Sequence, residues 1–425
     1  MAVITTPAAV YANTYAPVAP PAESPAPDAL RVTCDGKALL AALRVVCAVT
    51  PKRLPPKSKR PALKFCRLTL SGYSEAELFA TDGVTSLRVR VDGADVATAG
   101  EVLLNPHELA RFCRDSKSAT VTIEAARGRL LVRGEHCRAE FDVTESPDAL
   151  PLPDTGAEFG HVVVANDTLR DAIEATHRAT DDETSRYALG GVWIGHHRDR
   201  DGSDSVSFVA TDGRRLHWSR TNGAAASELW PRADSTILPV KAAKLLGKLL
   251  KLPGAGSRVS IARTAKYVKA TAAGFELSTL ALEGRFPSWE DVIPARTAPP
   301  VFTVEAGPFR AAVKQAALTC GDRPWVDFAF VAEFVENRAP YLACELTRET
   351  EGGESSARVY VAGADNWPSD SPRLAVRLNP GFVADALAPC APGELVTFEV
   401  IDGDSAVIIR AASLTAVIMP LARDR

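Results

Sequence analysis

The chain has no Cys-x-x-Cys pair, no apolar run of membrane length and no strong excess of either charge. Its eight cysteines are scattered, so neither a zinc ribbon nor a dithiol redox motif is encoded. Several sit in apolar stretches such as Val45-Val46-Cys47, where a reduced thiol packs as a small hydrophobe. Spanning a bilayer takes roughly 20 apolar residues, so no membrane segment is expected, and the compartment is read as cytoplasmic. His-Glu-x-x-His, Gly-x-Ser-x-Gly, the phosphate-binding loop and the dinucleotide fingerprint are all missing. No catalytic residue, metal or cofactor is therefore expected, and His196-His197 reads as part of a turn. A net charge of −3 gives no bulk attraction to nucleic acid, but phosphate binding depends on where charge is placed.

What the chain does have is a repeat. Ala-Thr-Asp-Gly occurs at Ala80–Gly83 and again at Ala210–Gly213, each copy between alternating, strand-like segments. After an Ala- and Pro-rich segment, residues 1–29, read as a disordered tail, three blocks follow at 30–155, 158–295 and 300–425. Each opens with a short strand and a helix (37–49, 167–180 and 308–318) and carries a second helix later (105–116, 240–252 and 379–388). Asn166 is placed as an N-cap, and Pro106, Pro239 and Pro380 mark helix starts, where a missing N–H costs nothing. The pattern lacks regular βαβ alternation. It predicts an α+β protein of three similar units, with antiparallel sheets and helices on one face. Asp82 and Asp212 could pass for paired catalytic carboxylates, but their Thr-Asp-Gly setting predicts tight turns in which Asp accepts backbone N–H groups.

The helices of the first two blocks lean positive. Arg44, Arg111 and Arg114 belong to the first block, with Lys52 and Arg53 in the loop after its opening helix. Arg170, Arg178, Arg186, Lys241, Lys244, Lys248 and Lys251 belong to the second, and Arg310 and Lys314 to the third. Lys241, Lys244, Lys248 and Lys251 share one helical face, opposite Leu245, Leu246 and Leu249. One such face would be ordinary solubilising charge. Equivalent helices of repeated units would instead place it on a common surface suited to a phosphate backbone.

Leu169–Thr176, Ser185–Gly191, Ala210–Leu216, Gly284–Pro294 and Val417–Pro420 resemble, in order, motifs of the bacterial DNA polymerase III beta subunit, the sliding clamp. The resemblance runs from Leu30 onward and is looser in the first and third blocks. It implies three clamp domains per chain and a head-to-tail homodimer closed as a ring. Sheets would lie outside, and helices would line a hole around double-stranded DNA of any sequence. It implies no catalysis. The function implied is that of a processivity factor in DNA replication, cytoplasmic and nucleoid-associated, tethering DNA polymerase III. The clamp loader and repair proteins would dock through linear peptide motifs. The implied pocket comprises Leu189, Thr211, Gly213, Arg214, Arg215, Leu216, Pro287, Val292, Asn379, Phe382, Val417, Met419, Pro420 and Leu421. The implied dimer seam comprises Phe141, Val143 and Leu318.

The chain departs from the family pattern in three places. Arg214 stands where the signature has His, and Asp291 where a basic residue is common. The C-terminal run, Met419-Pro420-Leu421-Ala422, differs from the usual ending. These departures leave a second functional class open, a clamp-fold paralogue that binds other partners.

Overall fold

The computed structural model describes residues 30–54, 60–143, 145–181, 188–198, 204–221, 225–226, 235–295, 299–321, 324–333, 341–350, 353–366 and 373–422. The expected N-terminal tail and Arg186 lie outside the described residues.

Helices come in pairs along the chain. They are α1 (Gly36–Val49) and α2 (Pro106–Ser116), α3 (Asn166–Thr176) and α4 (Val240–Leu249), and α5 (Ala306–Ala316) and α6 (Pro380–Leu387). The members of each pair pack on each other, and α1 also touches α4. Side-chain caps set three of the starts: Asp35 accepts from the N–H of Lys37 and Ala38, Asn105 from His107, and Asn379 from Gly381. Asn166 does not cap α3 as expected. It is the first helical residue, and it is buried because its amide donates to the Gly256 carbonyl at 2.9 Å. Helix α4 ends at Leu249, short of the expected 252, with Pro253 close behind it.

The strands form four antiparallel sheets. His196 lies in the strand Gly191–Arg198, not in a turn, because the hairpin with Asp204–Thr211 extends past it. The strand order of one half-sheet recurs three times. Gly100–Leu104, Cys66–Ser71, Glu75–Thr81 and Thr85–Arg90 follow one another in the first unit. Ser235–Pro239, Gly191–Arg198, Asp204–Thr211 and Arg215–Thr221 repeat that order in the second. Arg373–Leu378, Val326–Glu333, Tyr341–Thr350 and Gly353–Tyr360 repeat it in the third.

Two joints weld the units together. The final strand of the second unit, Phe275–Leu280, pairs with Thr85–Arg90 of the first, turning two half-sheets into one nine-stranded sheet. The final strand of the third, Thr415–Ile418, pairs with Arg215–Thr221 of the second in the same way. Both joints begin three residues after the repeated Asp, with Thr85 opposite Thr279 and Arg215 opposite Ile418.

Beneath the sheets, one continuous core spans the first and second units, including Leu39, Leu43, Leu87, Leu245 and Leu277. The third unit has its own aromatic core, in which Phe302 stacks on Phe330 at 4.1 Å and Phe309 meets Phe398 at 4.9 Å. Full burial of one such side chain contributes about 2–3 kcal/mol. Of the cysteines, Cys137 is exposed. Burial pushes the thiols of Cys34 and Cys390 up to about 12, so they pack as inert hydrophobes.

Candidate functional site

The repeated Thr-Asp-Gly is a turn in both copies. Asp82 Oδ1 accepts from the N–H groups of Val84 and Thr85 at 2.8 and 2.7 Å, and Asp212 Oδ1 from Arg214 and Arg215 at 2.9 and 3.0 Å. Thr81 and Thr211 hydroxyls donate to the carbonyls of Thr85 and Arg215 and accept from Gly83 and Gly213. Gly83 and Gly213 sit at φ +90 and +82°, which favours glycine there. Each aspartate thus shapes the start of the strand that follows it.

The second turn opens onto a cleft of about 610 Å³ on the outer side of the joint between the second and third units. Ten of the fourteen implied pocket residues line it: Leu189, Thr211, Gly213, Arg214, Arg215, Leu216, Pro287, Val292, Val417 and Met419. Leu216 and Val417, paired across the joint, are buried with Trp289, Val209 and Ile408 in a small separate cluster. Val292 and Met419 stay exposed at 45% and 47%, an accessible apolar surface above that floor.

Four implied residues border the cleft without lining it. Asn379 caps α6, and the Phe382 ring lies under the Arg215 guanidinium, 4.4 Å from its centroid. Pro420 follows Met419, and the Leu421 N–H donates to Arg377 at the edge of the last sheet. Conversely, Arg285, Ser288 and Trp289 line the cleft and were not named from sequence. Trp289 is the largest omission. It packs 5.3 Å from Trp218 and 5.8 Å from Trp193, making an aromatic wall. Its position between Pro287 and Val292 in the same motif was the available signal.

Arg215 locks the joint below the cleft. Its side chain, 9% exposed, meets Asp212 at 3.1 Å and Asp385 of α6 at 2.6 Å, and it donates to the Arg178 carbonyl. Next to it His217 is fully buried, with Nδ1 on the Ala175 carbonyl at 2.8 Å. Burial pushes its pKa down to about 4, so the ring is neutral near pH 7.

The basic residues singled out from the sequence fall into two sets. Arg44, Lys52, Arg53, Lys241, Lys244, Lys248 and Lys314 are exposed and make no ion pair among the described residues. The others are engaged. Arg111 and Arg114 share Asp115, Arg170 pairs with Asp171, and Arg178 and Lys251 share Glu174. Arg310 donates to the Ala388 carbonyl at 3.3 Å. Of the implied seam residues, Phe141 lies in the strand Arg138–Asp142, Val143 follows it, and Leu318 projects beyond α5 at 72% exposure.

Residues 163–288 match the family model of the DNA polymerase III beta subunit, central domain. The beta sliding clamp of Pseudomonas putida is 26% identical over 266 residues, covering 62% of this chain and 68% of that protein. That of Micrococcus luteus is 28% identical over 286 residues, covering 64% and 81%. The crystal structure of the DNA polymerase III subunit beta from Pseudomonas aeruginosa superimposes with a TM-score of 0.72 at 22% identity, covering 92% of this chain and all of that one. The sequence comparisons make this chain similar to DNA polymerase III beta sliding clamps, and the structural comparison shows that it has their fold. The clamp fold accounts for the repeated half-sheets and the paired helices. Among the described residues, no helix is long and apolar enough to cross a membrane.

Proposed function

We propose that two copies of this chain close head to tail into a ring that encircles duplex DNA and tethers a polymerase, with partner peptides docking in the outer cleft. The observation that carries this reading is the repeated joint. In the second and third units, the last strand pairs with the strand after the turn of the preceding unit. In the first unit the corresponding last strand, Arg138–Asp142, pairs on one side with Arg129–Arg133 and ends its sheet among the described residues. The third unit's counterpart of the strand after the turn, Gly353–Tyr360, also ends its sheet among the described residues. These two edges are complementary by construction, and pairing them between copies removes both. An apolar-lined cavity of about 540 Å³ between α5 and Gly353–Tyr360 offers room for Phe141 and Val143 of a second copy.

The exposed lysines of α4 and the arginine of α1 suit a weak, sequence-blind contact with phosphates. A topological tether needs nothing stronger. The cleft suits a short linear peptide, with apolar side chains seated over Leu216, Val417 and Trp289.

The test is retention on DNA. Loaded by a clamp loader onto nicked circular DNA, the protein should co-elute with the circle at a salt concentration that strips ordinary DNA-binding proteins. It should then leave when the circle is linearised. Release that does not depend on linearisation, or a sedimentation mass of one chain at micromolar concentration, would reject the ring.

A further inference from the structure

The cleft carries more positive charge than an apolar peptide requires. Arg214, Arg215 and Arg285 all line it, and no Asp or Glu does. Arg215 is neutralised by Asp212 and Asp385. Arg214 and Arg285 are exposed and have no carboxylate partner among the described residues. They arrive from separate segments, and the Arg214 backbone is anchored at both its carbonyl and its N–H. The Arg214 carbonyl accepts the Met419 N–H at 3.0 Å, and its own N–H donates to Asp212. Arg285 follows Gly284, which sits at φ +132° against Ala188. Two unpaired guanidiniums are thus held at an apolar cleft with no internal counter-charge. The nearby carboxylate of Asp291 lies on the one-turn helix Trp289–Val292 and does not line it.

We infer that the cleft selects acidic linear peptides, in which a residue bearing a carboxylate flanks the apolar anchor and engages Arg214 or Arg285. This rests on the peptide-docking reading above and narrows its ligand. A guanidinium offers a planar fork to a carboxylate, and the contact is strengthened where an apolar neighbour excludes water. The same pair disfavours peptides with lysine beside the anchor, so discrimination comes from repulsion as well as attraction.

The test uses the full chain and three acetylated, amidated peptides with a common Leu-Leu-Phe core flanked on both sides by Asp, Asn or Lys. Binding is read from tryptophan fluorescence, since Trp289 lines the cleft. The Asp-flanked peptide should bind about tenfold more tightly than the Asn-flanked one at low salt, and the Lys-flanked one more weakly still. The differences should shrink as salt rises. In the R214Q/R285Q variant the series should level, the Asp-flanked peptide losing its advantage over the Asn-flanked one. Equal affinities for the native chain, or the same ranking in the variant, would overturn the acidic preference while leaving peptide docking intact. Displacement of the Asp-flanked peptide by oligothymidylate would assign the two arginines to nucleic acid and also overturn it. Failure of all three peptides to bind would overturn peptide docking and this inference with it.

Discussion

The two joints within the chain share a turn, a register and a strand direction, yet their outer faces differ. At the first, Ser86 lies opposite Ser278, and the adjoining hollow is lined by Thr69, Glu75, Glu77, Arg88, Arg90 and Glu276. At the second, Leu216 lies opposite Val417, backed by Trp289 and rimmed by Met419. The turns also diverge. Val84 and Thr85 follow the first Asp-Gly, and the Thr85 hydroxyl meets that of Thr279 across the joint at 3.0 Å. Arg214 and Arg215 follow the second, and Arg215 forms an ion pair across the joint with Asp385 on a helix of the third unit. Inner faces differ as well, with Leu87 in one joint and His217 in the other. Backbone pairing alone therefore makes a joint. Whether a joint also makes a cleft depends on a few outward-facing side chains.

That comparison can be pressed experimentally. The largest effect is expected from giving the second joint the polar outer face of the first. Leu216→Ser with Val417→Ser buries two hydroxyls in place of apolar side chains and should cost about 4 kcal/mol in urea unfolding. Peptide binding should be lost at the same time.

Next comes pH. His217 resists protonation in the folded chain, with a pKa near 4 against 6.5 for the free ring, while charged Arg215, Arg178 and Asp385 surround it. Its contribution is therefore fully present above about pH 6.5. It is lost as pH falls from there toward 4, because only the unfolded chain takes up the proton, for a total of up to about 3 kcal/mol. His217→Gln should flatten this part of the stability profile, whereas Leu87→Ile at the first joint should leave its slope unchanged.

A smaller loss is expected from Arg215→Ala, which strands two carboxylates. Because Asp385 is 40% exposed, water screens part of the loss and about 2 kcal/mol should remain. Thr85→Ala at the matching position should cost less than half of that. Hydrogen exchange should then show faster opening of Thr415–Ile418 in the first variant and little change at Phe275–Leu280 in the second. Smallest of all, Lys244→Ala with Lys248→Ala should move stability by less than about 0.5 kcal/mol. It should still reduce the salt dependence of DNA association by a slope of about 1–2, without altering sequence preference.

The period-two and helical patterns were enough to read the α+β organisation and the six helices, since both periods repeat in each unit. Helix starts were read correctly where a side chain caps the backbone, as at Asn105 and Asn379. They were misjudged at Asn166, whose amide is used by a loop some ninety positions away. The turn role of Asp82 and Asp212 followed from local chemistry alone. The cleft was harder. Leu216 and Val417 look like ordinary core residues in one dimension, and only the resemblance singled them out. Trp289 was missed because burial against Trp193 and Trp218 is set by packing between distant strands. The pairing of Arg215 with Asp385 depends likewise on how two units meet, which no local pattern encodes. Nor could the charges be sorted in advance: Arg178 and Lys251 look as free as Lys244 until Glu174 is placed between them.

On the proposed head-to-tail pairing, the edge strands Arg138–Asp142 of the first unit and Gly353–Tyr360 of the third would make each molecule both plug and socket. Such monomers would concatenate without limit or shut on themselves, according to the angle at which successive units meet. A truncated piece keeping Arg138–Asp142 but lacking Gly353–Tyr360 would act as a chain stopper. Added in excess, it would consume sockets and leave open arcs through which DNA slips.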